Sequence, residues 1–109
     1  MKNNALVIDC TEDKLHQKLL EGQPQTSGMR CGKVSLQPTQ SCGEHSTNGF
    51  EEILVFLSGQ GLILMGDKES QKVGKDQVCY IPPHTLHNVK NTGHKRLVYI
   101  YCVAPAKAS

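Results

Sequence analysis

Tryptophan is absent from this 109-residue chain, and aromatic residues together make up only 5% of it. Binding of single-stranded nucleic acid needs aromatic platforms set into a basic stripe. Here twelve Lys and Arg residues are scattered among ten Asp and Glu, leaving a net charge of +2. The densest basic cluster is the pair Lys95-Arg96. No nucleic-acid partner is expected. Long apolar runs are missing too, the longest being Ile53 to Leu57. A membrane-crossing helix takes about 20 such residues, so no membrane role is expected. Residues 1–10 turn apolar too briefly for a secretory leader. The five cysteines (Cys10, Cys31, Cys42, Cys79 and Cys102) are odd in number and include no Cys-x-x-Cys. That pattern argues against a thiolate zinc knuckle and against a secreted disulfide framework. A cytoplasmic setting is the plain reading.

What is present suits one small globule. Hydrophobic residues reach 38% and charged residues 20%. A chain of this length buries roughly two-thirds of its unfolded surface, enough for one core. Residues 5–9 (ALVID) read as a first strand. Residues 12–21 read as a short helix, with Leu15 and Leu19 four apart, Glu12 and Asp13 in the first turn and Gly22 as the stop. Beyond Gly28 the pattern changes to short apolar segments between turn residues: 29–36, 52–57, 62–65, 68–73, 77–81, 85–90 and 97–103. Strands of this length and spacing indicate an antiparallel sandwich or barrel. The last strand is apolar on both faces, with Leu97, Tyr99, Tyr101 and Val103 on one and Val98, Ile100 and Cys102 on the other. Both faces should be covered, one by the core and the other by a helix, a second sheet or a partner subunit.

Two stretches hold the chemistry. In residues 41–61, His45 and Thr47 share a face of a strand, and Asn48-Gly49 suits a tight hairpin turn. Such a hairpin can set His45 beside Glu52. A carboxylate among Leu, Val and Phe is costly to bury unless something neutralises it, and a metal ion shared with imidazole is one answer. Glu51 is the rival, since a one-residue slip of the strand exchanges the two faces; the seven-residue step from Glu52 to Gly59 favours Glu52 as the inward residue and leaves Glu51 solvated. In residues 80–93, Pro82-Pro83 ends a strand and His87 opens another with Val89 on its face. Of the other histidines, His16 on the expected helix and His94 in a turn read as solvated.

These two stretches resemble the signature motifs of small single-domain cupins. The first motif reads Gly, five residues, His-x-His, three or four residues, Glu, six residues, Gly, and His45, Glu52 and Gly59 fall into it. The second reads Gly, five residues, Pro-x-Gly, two residues, His, three residues, Asn, and Pro82, His87 and Asn91 fall into it. Thr39, Thr47, Asp76 and His84 depart from it, standing where the motifs have Gly, His, Gly and Gly. The resemblance implies an all-β double-stranded β-helix, or jelly-roll barrel, over residues 29–103. An arm over 1–28 with a strand and short helix precedes it, and a tail over 104–109 follows.

The resemblance also implies one divalent metal ion (Fe, Ni, Mn, Co or Zn) on His45, Glu52 and His87. Thr47 is the doubtful fourth ligand, a hydroxyl being a poorer donor than imidazole. Two histidines and a carboxylate with open positions suit both Fe(II) oxygen chemistry and catalytic zinc. His84 is a candidate proton shuttle at the mouth of the site. Cys42, three residues before His45, faces away on a continuous strand, although some cupins place a cysteine near the metal; Cys79 and Cys102 can face the cavity or act as small apolar filler, and Phe56, Leu64, Met65 and Tyr99 can line a pocket or form plain core. The function implied is binding of a small organic molecule or catalysis upon it, with oxygenase or isomerase chemistry available. The alternative is a ligand-binding or metal-sensing barrel without full coordination. A homodimer is expected, formed through barrel faces or exchanged N-terminal strands.

Overall fold

The computed structural model describes residues 4–12 and 14–107. Nine strands make up its regular structure: β1 (His16–Glu21), β2 (Arg30–Leu36), β3 (His45–Ser46), β4 (Phe50–Ser58), β5 (Gln60–Met65), β6 (Lys68–Gly74), β7 (Val78–Ile81), β8 (Leu86–Asn91) and β9 (Leu97–Pro105). They form two sheets, ordered β1-β2-β9-β4-β7 and β3-β8-β5-β6, with every pairing antiparallel. This is the jelly-roll architecture expected from the sequence.

The core lies where the two inner faces meet. Val34 and Leu36 of β2, Leu54 and Phe56 of β4, Ile81 of β7, and Leu97 and Tyr99 of β9 come from the larger sheet. Ile63 and Val89 come from the smaller one. The alternation of period two puts these residues inside and their neighbours outside. The edge strand β6 is polar along most of its length (KESQKVG), which discourages pairing with another chain.

Two expectations for the N-terminal region are corrected. Residues 4–12 form no strand. They run along the sheet, where side chains catch their carbonyls: Gln17 Nε2 on Asp9, Lys33 Nζ on Thr11 and an Arg96 guanidinium nitrogen on Glu12. Among the described residues the expected helix over 12–21 is also absent, and strand β1 takes its place beside β2. Ten residues are too few for a helix to hold without strong tertiary support. The free edge of β2, by contrast, offers a row of unpaired amides and carbonyls. A register shift between Lys18 and Leu20 disturbs the strand's alternation, which made Leu15, Leu19 and Leu20 read as a helical stripe.

The chain turns through left-handed backbone at several motif positions. Gly59 has φ +86°, and a Cβ there would strike the Arg96 carbonyl. The three places where the sequence departs from a motif glycine keep that backbone: Thr39 (φ 74°), Asp76 (φ 70°) and His84 (φ 55°). The fold retains the turn and accepts the strain of a Cβ in it.

Candidate metal site

His45, Glu52 and His87 converge, their ligand atoms all lying within 4.8 Å of one another. They do so by a route the sequence did not suggest. β3 does not form a hairpin with β4; it pairs with β8, and His45 stands directly opposite His87. The two imidazole centroids are 4.3 Å apart. Glu52 arrives from β4 in the facing sheet, so the residues between Ser46 and Phe50 cross from one sheet to the other. A strand alternates its side chains, so Glu52 points in and Glu51 points out to accept a hydrogen bond from the Tyr80 hydroxyl at 2.8 Å.

The hydrogen bonds around the imidazoles decide how they can act. His45 Nδ1–H donates to the Gly43 carbonyl at 2.9 Å, and His87 Nδ1–H donates to the Thr85 carbonyl at 3.0 Å. A carbonyl can only accept, so in both rings the proton sits on Nδ1 and Nε2 is left for the site. Tethering the outer ring nitrogen to a backbone carbonyl is the usual support of a metal-binding histidine. His87 Nε2 lies 2.9 Å from Glu52 Oε1, both residues being buried at 1% and 6% exposure. With the Thr85 carbonyl accepting at Nδ1, His87 Nε2 donates a second proton to the Glu52 carboxylate, accepts one from its neutral acid, or shares a cation with it. Burial pulls the His87 pKa down, but the Glu52 hydrogen bond, the Thr85 carbonyl and the Glu52 charge outweigh it and hold the pKa above its ordinary value. The donor set therefore fits a divalent cation: two oriented imidazoles and one buried carboxylate.

The remaining candidates fall around this centre. Thr47 is buried and lines the same cavity, where its hydroxyl donates to the Pro82 carbonyl at 2.7 Å and accepts from Thr85 N–H at 3.1 Å. It ties the loop before His87 to β3. His84 is exposed and is not among the residues lining the cavity. Asn91 holds the barrel end together, with Nδ2 donating to the Leu36 and Lys95 carbonyls and Oδ1 accepting from Gly93. Cys42 lines the cavity, and its thiol accepts from Val89 N–H at 3.3 Å. Cys79 packs on the core and Cys102 lies beside Cys31, 3.3 Å away, on the outer face of the sheet. Of the expected apolar liners Tyr99 reaches the cavity, while Phe56, Leu64 and Met65 do not.

The cavity measures about 480 Å³. Leu54, Val34, Leu36, Val89 and Val103 supply apolar wall. Arg30, His16 and Tyr101 also line it, and the sequence reading missed all three. A helical reading of residues 12–21 hides the strand face on which His16 lies. Arg30 looked like one more scattered surface charge.

Comparison with known proteins agrees with this architecture. Residues 32–103 match the family model of the Cupin_2 cupin domain. Over 105 residues the chain is 27% identical to a glucose-6-phosphate isomerase of Sinorhizobium medicae, covering 92% of this chain and 49% of that protein. A 55-residue stretch is 40% identical to an uncharacterised protein of Methanocaldococcus jannaschii, covering 50% of this chain and 43% of that one. The chain thus spans about half the length of the curated relatives it matches. Among solved structures, a Cupin 2 conserved barrel protein of Salinispora arenicola superposes with a TM-score of 0.78 at 21% identity, over 94% of this chain and 92% of that one. A double-stranded β-helix protein of Klebsiella pneumoniae superposes at 0.74 with 14% identity, over 97% and 95%. By its motifs, its paired sheets and a family match across most of its length, the chain belongs to the cupin domain family.

Proposed function

We propose that this cupin holds one divalent metal ion on His45, Glu52 and His87 and acts on a small molecule bound in the adjoining cavity. The observation that carries this reading is the pair of Nδ1–H bonds to Gly43 and Thr85, which leave both Nε2 atoms for the site, with His87 Nε2 2.9 Å from Glu52 Oε1 and the three ligand atoms within 4.8 Å of one another. When bound, the ion supplies Lewis acidity to an oxygen of the ligand. The chain's own residues do the rest. Glu52 offers its negative charge from a buried position, and Leu54, Val34, Leu36, Val89 and Val103 give the ligand apolar wall. Thr47, engaged with the Pro82 carbonyl and Thr85 N–H, acts as a positioning residue for the His87 loop. Isomerase chemistry is the more supported reaction class, because a relative spanning 92% of the chain is described as an isomerase. We also propose a homodimer. A reducing cytoplasm is proposed on the odd cysteine count and the lack of any Cys-x-x-Cys.

The test is metal content of protein prepared without a polyhistidine tag. About one equivalent of a divalent metal is expected in the parent, and less than a tenth of that in His87→Ala with unchanged β-sheet circular dichroism. A parent that holds no metal after exposure to Fe, Ni, Mn, Co and Zn in turn sinks the reading.

A further inference from the structure

The cavity has a second polar end, built from Arg30, Tyr101 and His16. Arg30 opens β2 and is in register with Val103 of β9, which is in register with Glu52 of β4. The three stand in one row across the larger sheet, with about 10 Å between the Arg30 and Glu52 backbones at ordinary strand spacing. The Arg30 guanidinium lies 4.5 Å from the centroid of the Phe50 ring, and its aliphatic stem approaches Gly22. Glu21 is its register partner on β1, yet the two make no ion pair. Among the described residues the only ion pair is His87 with Glu52, so Arg30 has no carboxylate partner among them. Arg30 is solvent-exposed at the cavity edge, but the stacking on Phe50 orients its donors.

Tyr101 stands beside it by design of the backbone. Its ring folds over Gly32, where any Cβ would clash with the hydroxyl end of the ring. That position lets the hydroxyl reach His16 Nε2 on the edge strand, 2.6 Å away. Burial, with the nearby Cys31 and Glu52, holds the phenol above its ordinary range against the opposing pull of Arg30. The hydroxyl therefore stays neutral near pH 7 and does not repel an anion.

We propose that the ligand of this cavity carries an anionic group, a carboxylate or a phosphate, which Arg30 binds with the Tyr101 hydroxyl beside it while another part of the molecule meets His45, Glu52 and His87. A guanidinium fork matches either oxyanion with two parallel hydrogen bonds. The cavity's size and the spacing between its two ends select a metabolite-sized molecule rather than a polymer. This inference rests on the metal reading for one end of the ligand and stands by itself at the other.

The experiment is calorimetric titration of the full chain with inorganic phosphate and, separately, with malonate, at low ionic strength. Each is run on chelator-stripped and metal-reloaded protein, with metal content measured on the same samples. One anion is expected to bind the parent, and Arg30→Gln to weaken it about tenfold or more, a difference of about 1.4 kcal/mol. Arg30→Lys should recover part of the loss, because it keeps the charge and loses the fork. Lys33→Gln, on the opposite face of the same strand, should change affinity less than about twofold. Preference for phosphate identifies a phosphate ester, and preference for malonate a carboxylate. Equal affinity in the parent and Arg30→Gln overturns the proposal, as does no binding of either anion. Metal present with no anion bound defeats this inference alone. Anion binding that needs Arg30 in protein unable to take metal defeats the metal reading alone.

Discussion

His87 sits between two acceptors, and that single fact sets a pH dependence of two opposite signs. In metal-free protein its pKa is raised above the ordinary value of about 6.5 by Glu52 and Thr85, despite the opposing effect of burial. A group that holds its proton more tightly when folded stabilises the fold fully below the unfolded pKa and loses that contribution as pH rises through the folded one. The stripped protein should therefore show a urea midpoint that falls as pH climbs past neutrality, and His87→Gln should flatten the trend. Metal needs the same Nε2 unprotonated, so the metal-dependent part of the stability should grow with pH over the same interval. A midpoint of stripped protein that rises from pH 6 to pH 8 would contradict the assignment of His87.

The left-handed residues form a second case at this scale. Thr39, with φ 74°, has a β-branched side chain in a region that suits glycine, and His84 has φ 55° with its side chain in solvent. Each costs on the order of 1 kcal/mol or more in local strain. Thr39→Gly and His84→Gly should each raise stability by roughly 0.5–1.5 kcal/mol in chemical denaturation, after the added entropy of a glycine in the unfolded chain is subtracted. A drop in stability for both would mean that the side chains have partners that outweigh the strain. Asn91 runs the other way. Buried at 1% exposure with three hydrogen bonds, it should cost about 2–4 kcal/mol on replacement by Ala.

Among elements, β1 and β2 hold the lesson of the N-terminal region. Leu15, Leu19 and Leu20 fit a helical stripe as well as a bulged strand, and local pattern cannot choose between them. The edge of β2 decides, because its amides and carbonyls gain partners only if residues 16–21 extend. Once β1 is a strand, His16 comes within reach of Tyr101 and the cavity acquires its second polar end. Gly32 is the hinge of that arrangement. Gly32→Ala should push the Tyr101 ring aside, destabilise the fold by about 1–3 kcal/mol and break the contact with His16. Thermal unfolding indistinguishable from the parent would show that the ring relaxes without cost.

For the whole molecule, the outer face of the larger sheet is the unbalanced surface. Ile53, Leu57, Val78 and Tyr80 are exposed there, and Val55, Val98 and Ile100 are only half-buried. Register puts Ile53 beside Tyr80 and Val55 between Val78 and Ile100, so the apolar positions are contiguous. A two-fold axis through such a face would match it to itself. The proposed homodimer predicts a sedimentation mass near twice the 12.0 kDa of the chain. Val78→Glu should shift it toward the monomer by placing a charge in an apolar contact. A monomer at all concentrations of the parent would refute the dimer.

The sequence by itself determined the strand run from residue 30 onward, and its likeness to the family motifs pointed to His45, Glu52 and His87 as one set. Those features are written in short-range alternation and in fixed spacings, which hold wherever the strands lie. Only the tertiary structure decided which strands became neighbours. It placed His45 opposite His87 across β3 and β8 rather than beside Glu52 in a hairpin, drew residues 16–21 into the sheet, and brought Arg30 into Glu52's row. Pairing between distant strands follows from the closure of two sheets on one core, and no local pattern encodes which backbone edge a given strand will find.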